Sequence, residues 1–172
     1  ITLVGDILRL SKMDENSFSG EKVDVDLQSV VKQVSQTIIQ PASEKNISVY
    51  VNTESCVIKG IPSILEEIVF NLCDNAVKYN KNGGKVDVTL KKENGNAVLM
   101  VEDNGIGIPK DEQERVFERF YRVDKSHSKE IGGTGLGLSI VKHGAAIHNA
   151  VVHIDSAVGK GTKIEIAFPF EK

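Results

Sequence analysis

The chain has 172 residues, 40% of them hydrophobic and 26% charged, enough for one domain with a full apolar core. A net charge of −3 gives no electrostatic footprint for a nucleic-acid partner, and no apolar run is long enough for a signal peptide or a membrane span. Cys56 and Cys73 sit in apolar patterns without zinc or disulfide spacing, which fits a reducing cytosolic compartment.

The sequence starts on Ile1 without a methionine and reads as a piece of something longer. In residues 1–18, Ile1, Val4 and Leu8 fall at helical spacing, with too little chain around them to bury that stripe. They read as the tail of a helix whose partner is missing. Residues 19–26 are polar and contain a glycine, as a linker would. Asp26 then caps a helix from Leu27 that buries Val30, Val31, Val34 and Ile38 until Pro41 ends or kinks it. Residues 47–52 alternate as a short strand, and residues 56–59 can pair with it.

Residues 67–80 (EIVFNLCDNAVKYN) form the central helix. At about 100° per residue, Ile61, Leu65, Ile68, Val69, Leu72 and Ala76 face a core, while Glu67, Asn71, Asp74, Asn75 and Lys78 share the other side. Asparagine is a poor helix former that prefers caps and turns. Two of them with an acid and a lysine suggest oxygen ligands for a hard cation beside an anion held by the lysine. A plain solvated face with two chance asparagines would look the same.

Downstream, residues 85–91 and 97–101 alternate around an Asn94-Gly95 turn and predict a hairpin. The second strand runs into Asp103-Asn104-Gly105-Ile106-Gly107-Ile108. Residues 111–121 read as a short helix carrying Phe117 and Phe120, and residues 122–134 as a polar, basic mobile loop. Residues 135–149 read as a helix entered through glycines, followed by strands at 151–156 and 162–168 joined by a tight turn. The pattern predicts an α/β two-layer sandwich with helices on one face of a mixed, mostly antiparallel sheet.

Two elements carry chemistry. Gly133-Thr134-Gly135-Leu136-Gly137 precedes a helix, so free backbone N–H groups and the helix dipole make an anion site. No strand leads directly into it and no G-x-x-x-x-G-K-[ST] occurs, which excludes the dinucleotide-binding and Walker readings. Asp103, at a strand end and followed by glycines, can accept from the exocyclic amine of adenine, where guanine carries a carbonyl. A simple Asp-Asn-Gly turn is the plainer reading of that segment.

In this order the pieces resemble the catalytic ATP-binding domain of bacterial sensor histidine kinases, in the superfamily of gyrase B, Hsp90 and MutL. The N box resembles residues 71–79, the G1 box Asp103-x-Gly105-x-Gly107, the F box Phe117-Glu-Arg-Phe120 and the G2 box Gly133-Thr-Gly-Leu-Gly137. FERFYRVD (117–124) and GLGLSIVK (135–142) are similar to the phosphate-responsive sensor kinases of Gram-positive bacteria. The resemblance implies the Bergerat fold over residues 27–172, and places residues 1–18 at the end of a truncated dimerisation and phosphoacceptor domain. It implies Mg²⁺ on Asn75, with Asn71 and Glu67 assisting, and Lys78 and Tyr79 against the phosphates or ribose of ATP. Asp103 would read adenine with Thr162 through water, in a pocket that includes Gly105, Gly107 and Ile108. The lid over residues 121–134 would bring Tyr121 and Arg122 to the nucleotide, and Thr134, Gly135, Leu136, Gly137 and Leu138 would bind its phosphates.

The family's acceptor motif, His-Glu-Leu-Arg-like, does not occur, and none of His127, His143, His148 and His153 reads as the acceptor. The chain is therefore expected to donate the γ-phosphoryl of Mg-ATP to a histidine on an absent helical domain, which passes it to a response regulator. The parent protein is expected to be anchored in the plasma membrane, with this part cytoplasmic. Two alternatives remain at this point: ATP hydrolysis, with Glu67 polarising water, and a non-catalytic nucleotide-binding module.

Overall fold

The computed structural model describes residues 20–123 and 133–170. The whole amphipathic segment of residues 1–18, most of the lid and His127 lie outside the described residues.

Strand β1 (Val23–Asp26) leads without a break into helix α1 (Leu27–Glu44). Asp26 caps that helix as expected, its carboxylate accepting from the Gln28 amide at 3.2 Å. The helix passes Pro41 and ends three residues later. There the proline costs one hydrogen bond in a last turn that is already fraying. Strands β2 (Ser48–Thr53) and β3 (Val57–Gly60) follow, then helix α2 (Pro62–Lys78). Pro62 opens α2 at a position where the missing N–H is not needed.

Strands β4 (Lys85–Glu93) and β5 (Asn96–Asp103) form the expected hairpin. Asn94 and Gly95 both take positive φ, 49° and 75°, as its two-residue turn requires. Helix α3 (Gly137–Ile147) and strands β6 (Val151–Ala157) and β7 (Gly161–Pro169) complete the order. Five strands make one mixed sheet in the order β2-β4-β5-β7-β6, with only β2 and β4 parallel. The three helices among the described residues cover one face of it. The core between the layers includes Leu65, Ile68, Leu72, Leu90, Leu99, Leu136, Ile140, Ile166 and Phe168.

Three local expectations are corrected. Residues 23–26, read as part of a linker, are a strand paired antiparallel with β3. That pairing takes β3 away from β2, which pairs with β4 instead. Residues 111–121 are not a helix but two 3-10 turns, Lys110–Glu112 and Arg115–Phe117. The chain leaves helical geometry at Glu118, and the Phe120 amide donates to Gly135 O at 2.9 Å rather than to its own turn. A tertiary bond there replaces the local one.

Candidate functional site

Helix α2 shows the two faces its sequence implies. Every residue of the apolar stripe is buried, whereas Glu67, Asn71, Asp74, Asn75 and Lys78 are half-exposed along the opposite side. Asn71 Nδ2 donates to Glu67 O at 2.8 Å, which fixes the amide and leaves Oδ1 as an acceptor on the side of Gly137. Lys78 pairs with Asp74 one turn back. The C-terminus of α2 is held by Lys45, whose ammonium donates to Val77 O and Lys78 O at 3.2 and 2.8 Å, where the helix dipole favours a cation.

The first turn of α3 stands against this face. A Cβ on Gly137 would lie 2.9 Å from Asn71 Oδ1 and 3.6 Å from Asn75 Nδ2, so a side chain there would displace the Asn71 amide. Leu136 is fully buried and Leu138 packs on the core, so both anchor the turn from below. Gly135 carries φ +74° and lies against the backbone of Phe120 and Tyr121. Arg122 Nη1 donates to Gly133 O at 2.7 Å, and the Tyr79 hydroxyl faces the same glycine. The Asn face, the glycine turn, Tyr79 and Arg122 thus converge. Tyr121 turns elsewhere, its hydroxyl bonded to Glu112 and its ring under the Arg115 guanidinium at 4.1 Å. Thr134 lies beside Gly135, half-exposed.

The second half of the site lies at the ends of β5 and β7. Asp103 stands opposite Thr162 in the ladder. Burial pushes its carboxyl up to about 6, against the downward pull of the Gly105 and Thr162 amides. The Gly105 amide reaches Asp103 Oδ1 at 2.8 Å. From there the chain loops past α2, where the Ile106 amide donates to Tyr79 O at 3.1 Å. A Cβ on Gly107, whose φ is +69°, would overlap Ala157 O at 2.0 Å, so the loop lies flat on β6. Ile108 is tied there through its amide to Ser156 Oγ at 2.8 Å.

Several residues that shape this site escaped the sequence reading. Asn80 bonds the Lys81 amide and Lys85 O, and Asn104 accepts from the Lys85 amide at 2.7 Å, so the two close the turn behind Tyr79. Ser156 and Gln113 pin the Ile108 loop. Ser156 had a signal: a hydroxyl at an inward position of a strand whose other inward positions carry Val152 and Ile154.

Residues 60–172 match the family model described as histidine kinase-, DNA gyrase B-, and HSP90-like ATPase. The chain belongs to this ATPase family. The sensor-like histidine kinase SenX3 of Mycolicibacterium smegmatis is 38% identical over 97% of this chain and 44% of its own length. The sensor protein kinase WalK of Staphylococcus saprophyticus is 35% identical over 99% of this chain and 28% of its own. The chain therefore spans less than half the length of these curated relatives. The mycobacterial sensor histidine kinase MprB structure superposes with a TM-score of 0.76 at 33% identity, covering 86% of this chain and 97% of that one. Full-length ShkA, solved with AMPPNP, gives 0.86 at 27% identity, covering 99% of this chain and 35% of that one. This is the ATPase-type catalytic domain of the sensor histidine kinase class, with the expected open α/β sandwich.

Proposed function

We propose that this chain binds Mg²⁺-ATP and donates the γ-phosphoryl group to a histidine on a helical dimerisation and phosphoacceptor domain of the same kinase. The observation that carries the reading is the contact of Gly137 with Asn71 and Asn75, which brings the anion-binding helix start onto the amide face of α2. Asp103 and Thr162 receive the adenine, with Gly105, Gly107 and Ile108 as the pocket wall. Tyr79, Lys78 and Arg122 serve the ribose and phosphates, and the amides of residues 134–138 hold the phosphates. A metal ion fits the donor set on α2. Asn75, Asn71 and Glu67 offer only a few oxygens, and Mg²⁺ usually takes one or two protein ligands and the rest from phosphate and water. When bound, it would neutralise charge on the phosphate oxygens. Lys78 would leave Asp74 for a phosphate, a small change because a half-exposed ion pair is worth about 0–1 kcal/mol.

The catalytic work left to the protein is positioning and electrostatics. The named relatives are sensor kinases, which favours transfer to histidine over the ATP-hydrolysing and the non-catalytic alternatives. The phosphoryl group would pass from that histidine to a response regulator. By the same analogy the parent is anchored in the plasma membrane with this domain on the cytoplasmic side. No described helix is itself long and apolar enough to cross a membrane. The test is transfer from γ-labelled ATP to a separately supplied acceptor domain, with phosphate release measured beside it. Label on the acceptor histidine is expected; phosphate release without label would leave an ATPase.

A further inference from the structure

Ser156, Thr162 and Asp103 form one row across β6, β7 and β5: Ser156 pairs with Thr162 and Thr162 with Asp103. All three point to the helix side, two residues along from Ile154, Ile164 and Val101. The Ser156 hydroxyl has three partners: the Ile108 amide at 2.8 Å, Gly161 O at 2.9 Å and Thr162 Oγ1 at 2.8 Å. An amide only donates, a carbonyl only accepts, and a hydroxyl has one proton. The Ser156 proton therefore goes to Gly161 O. The bond to Thr162 must then use the proton of Thr162. Thr162 is left facing the pocket with lone pairs alone. Beside it, Asp103 already takes the Gly105 amide and in its ionised form can only accept.

We propose that Ser156 is a specificity-determining residue, which makes the base pocket acceptor-only by drawing the Thr162 hydroxyl proton away from the ligand. The consequence is selection of a 6-amino purine, and of the water that accompanies it, over a 6-oxo purine. The oxo group would face the lone pairs of Asp103 and Thr162, with no side-chain proton to turn towards it. Ser156 acts through Thr162 and touches no ligand itself. The inference rests on the proposed reading of the Asp103 pocket as the base site.

The test titrates ATP and inosine triphosphate, which differ in the group at purine position 6 and in the proton at N1, into the whole chain. The readout is the ratio of the two dissociation constants. In Ser156→Ala, Thr162 regains a free proton, and the preference for ATP should fall about five- to tenfold, the scale of one neutral hydrogen bond. Ser156→Cys keeps the volume but offers a weak acceptor. It should shift the ratio in the same direction, so the result does not hang on the folding of one variant. Thr162→Val should also lower the preference, and adding Ser156→Ala to it should change nothing more. An unchanged ratio in both Ser156 variants overturns the inference, as does an equal shift by Ser156→Ala with and without the Thr162 hydroxyl. Asp103→Asn is measured alongside. Weakened ATP binding in that variant keeps the base-site reading standing even where Ser156 fails, whereas unchanged binding removes both.

Discussion

Asp103 concentrates the electrostatics of the site in one group. Its carboxyl is raised by burial from the usual 3.8 to about 6. Between those values the unfolded chain has released a proton that the folded chain keeps, so stability contributed by this group falls as pH rises through that window. With Asp103 in the proposed base site, nucleotide binding should have the opposite dependence. An amine donor favours the ionised carboxylate, so ATP affinity should climb as pH rises through about 6 and level off above it. Asp103→Asn removes that component and should weaken ATP binding at neutral pH by about 1.5–3 kcal/mol, the scale of a charged hydrogen bond. Calorimetry from pH 5 to 7.5 on both proteins cancels the titration of ATP itself. Identical profiles would take Asp103 out of the pocket. For Asn75, which faces Gly137, replacement by Ala should abolish Mg²⁺-dependent transfer while metal-free nucleotide binding survives in part. Wild-type transfer by that variant would return this face of α2 to plain solvated surface.

At the scale of elements, the site depends on how α3 lies on α2. The two helices run antiparallel and touch at three levels: Gly137 at Asn71 and Asn75, Gly144 at Ile64 and Ile68, and His148 at Ile61. His148 is buried; its Nε2 accepts the Ile61 amide at 3.0 Å and its Nδ1 lies 2.7 Å from Gly144 O. The amide fixes Nε2 as the acceptor, so Nδ1 carries the proton. His148→Ala would leave a buried N–H without a partner, at a cost of about 1–3 kcal/mol. Thermal unfolding should drop by ~2–4 °C for each kcal/mol in a chain of this size. Gly144→Val puts a methyl-bearing carbon where Ile64 and Ile68 already stand 2.9–3.0 Å away, and overpacking of this kind costs about 1–3 kcal/mol. It should also lower ATP affinity, because the helix that presents the proposed phosphate-binding amides is pushed off its partner. Differential scanning calorimetry with and without ATP separates the two effects. A variant destabilised to the same degree with unaltered affinity would mean that the helix spacing does not reach the site.

For the whole molecule, two of the described histidines are poorly placed to receive a phosphoryl group from the chain's own site. His148 spends both ring nitrogens on the fold. His153 is exposed on the face of the sheet away from the helices, opposite Glu165. His143 sits on the second turn of α3, half-exposed. The isolated chain should therefore bind ATP without labelling itself. Adding a helical domain with its histidine should restore transfer in trans, at a reduced rate because no tether raises the effective concentration. Stable label mapped to a histidine of this chain would overturn the donor-only reading.

What was legible in the sequence was whatever repeats locally. A 3.6-residue period separated the buried and polar faces of α2 before any neighbour was known. Period two and an Asn-Gly pair defined the β4–β5 hairpin, and four motifs in order carried the family. Tertiary structure alone decided the partners. The alternation of residues 47–52 marks a strand, but its parallel partner β4 lies beyond a helix and another strand. The same holds for β1, whose four residues read as linker until β3 supplies the other half of the ladder. In residues 111–121 the helical pattern breaks into two 3-10 turns, and past them the Phe120 amide bonds Gly135 O rather than its own turn. The proton of Thr162 is the sharpest case. Its direction follows from an amide on one loop, a carbonyl in a turn and a serine on another strand, which no local period brings together, because hydrogen-bond direction depends on every partner at once.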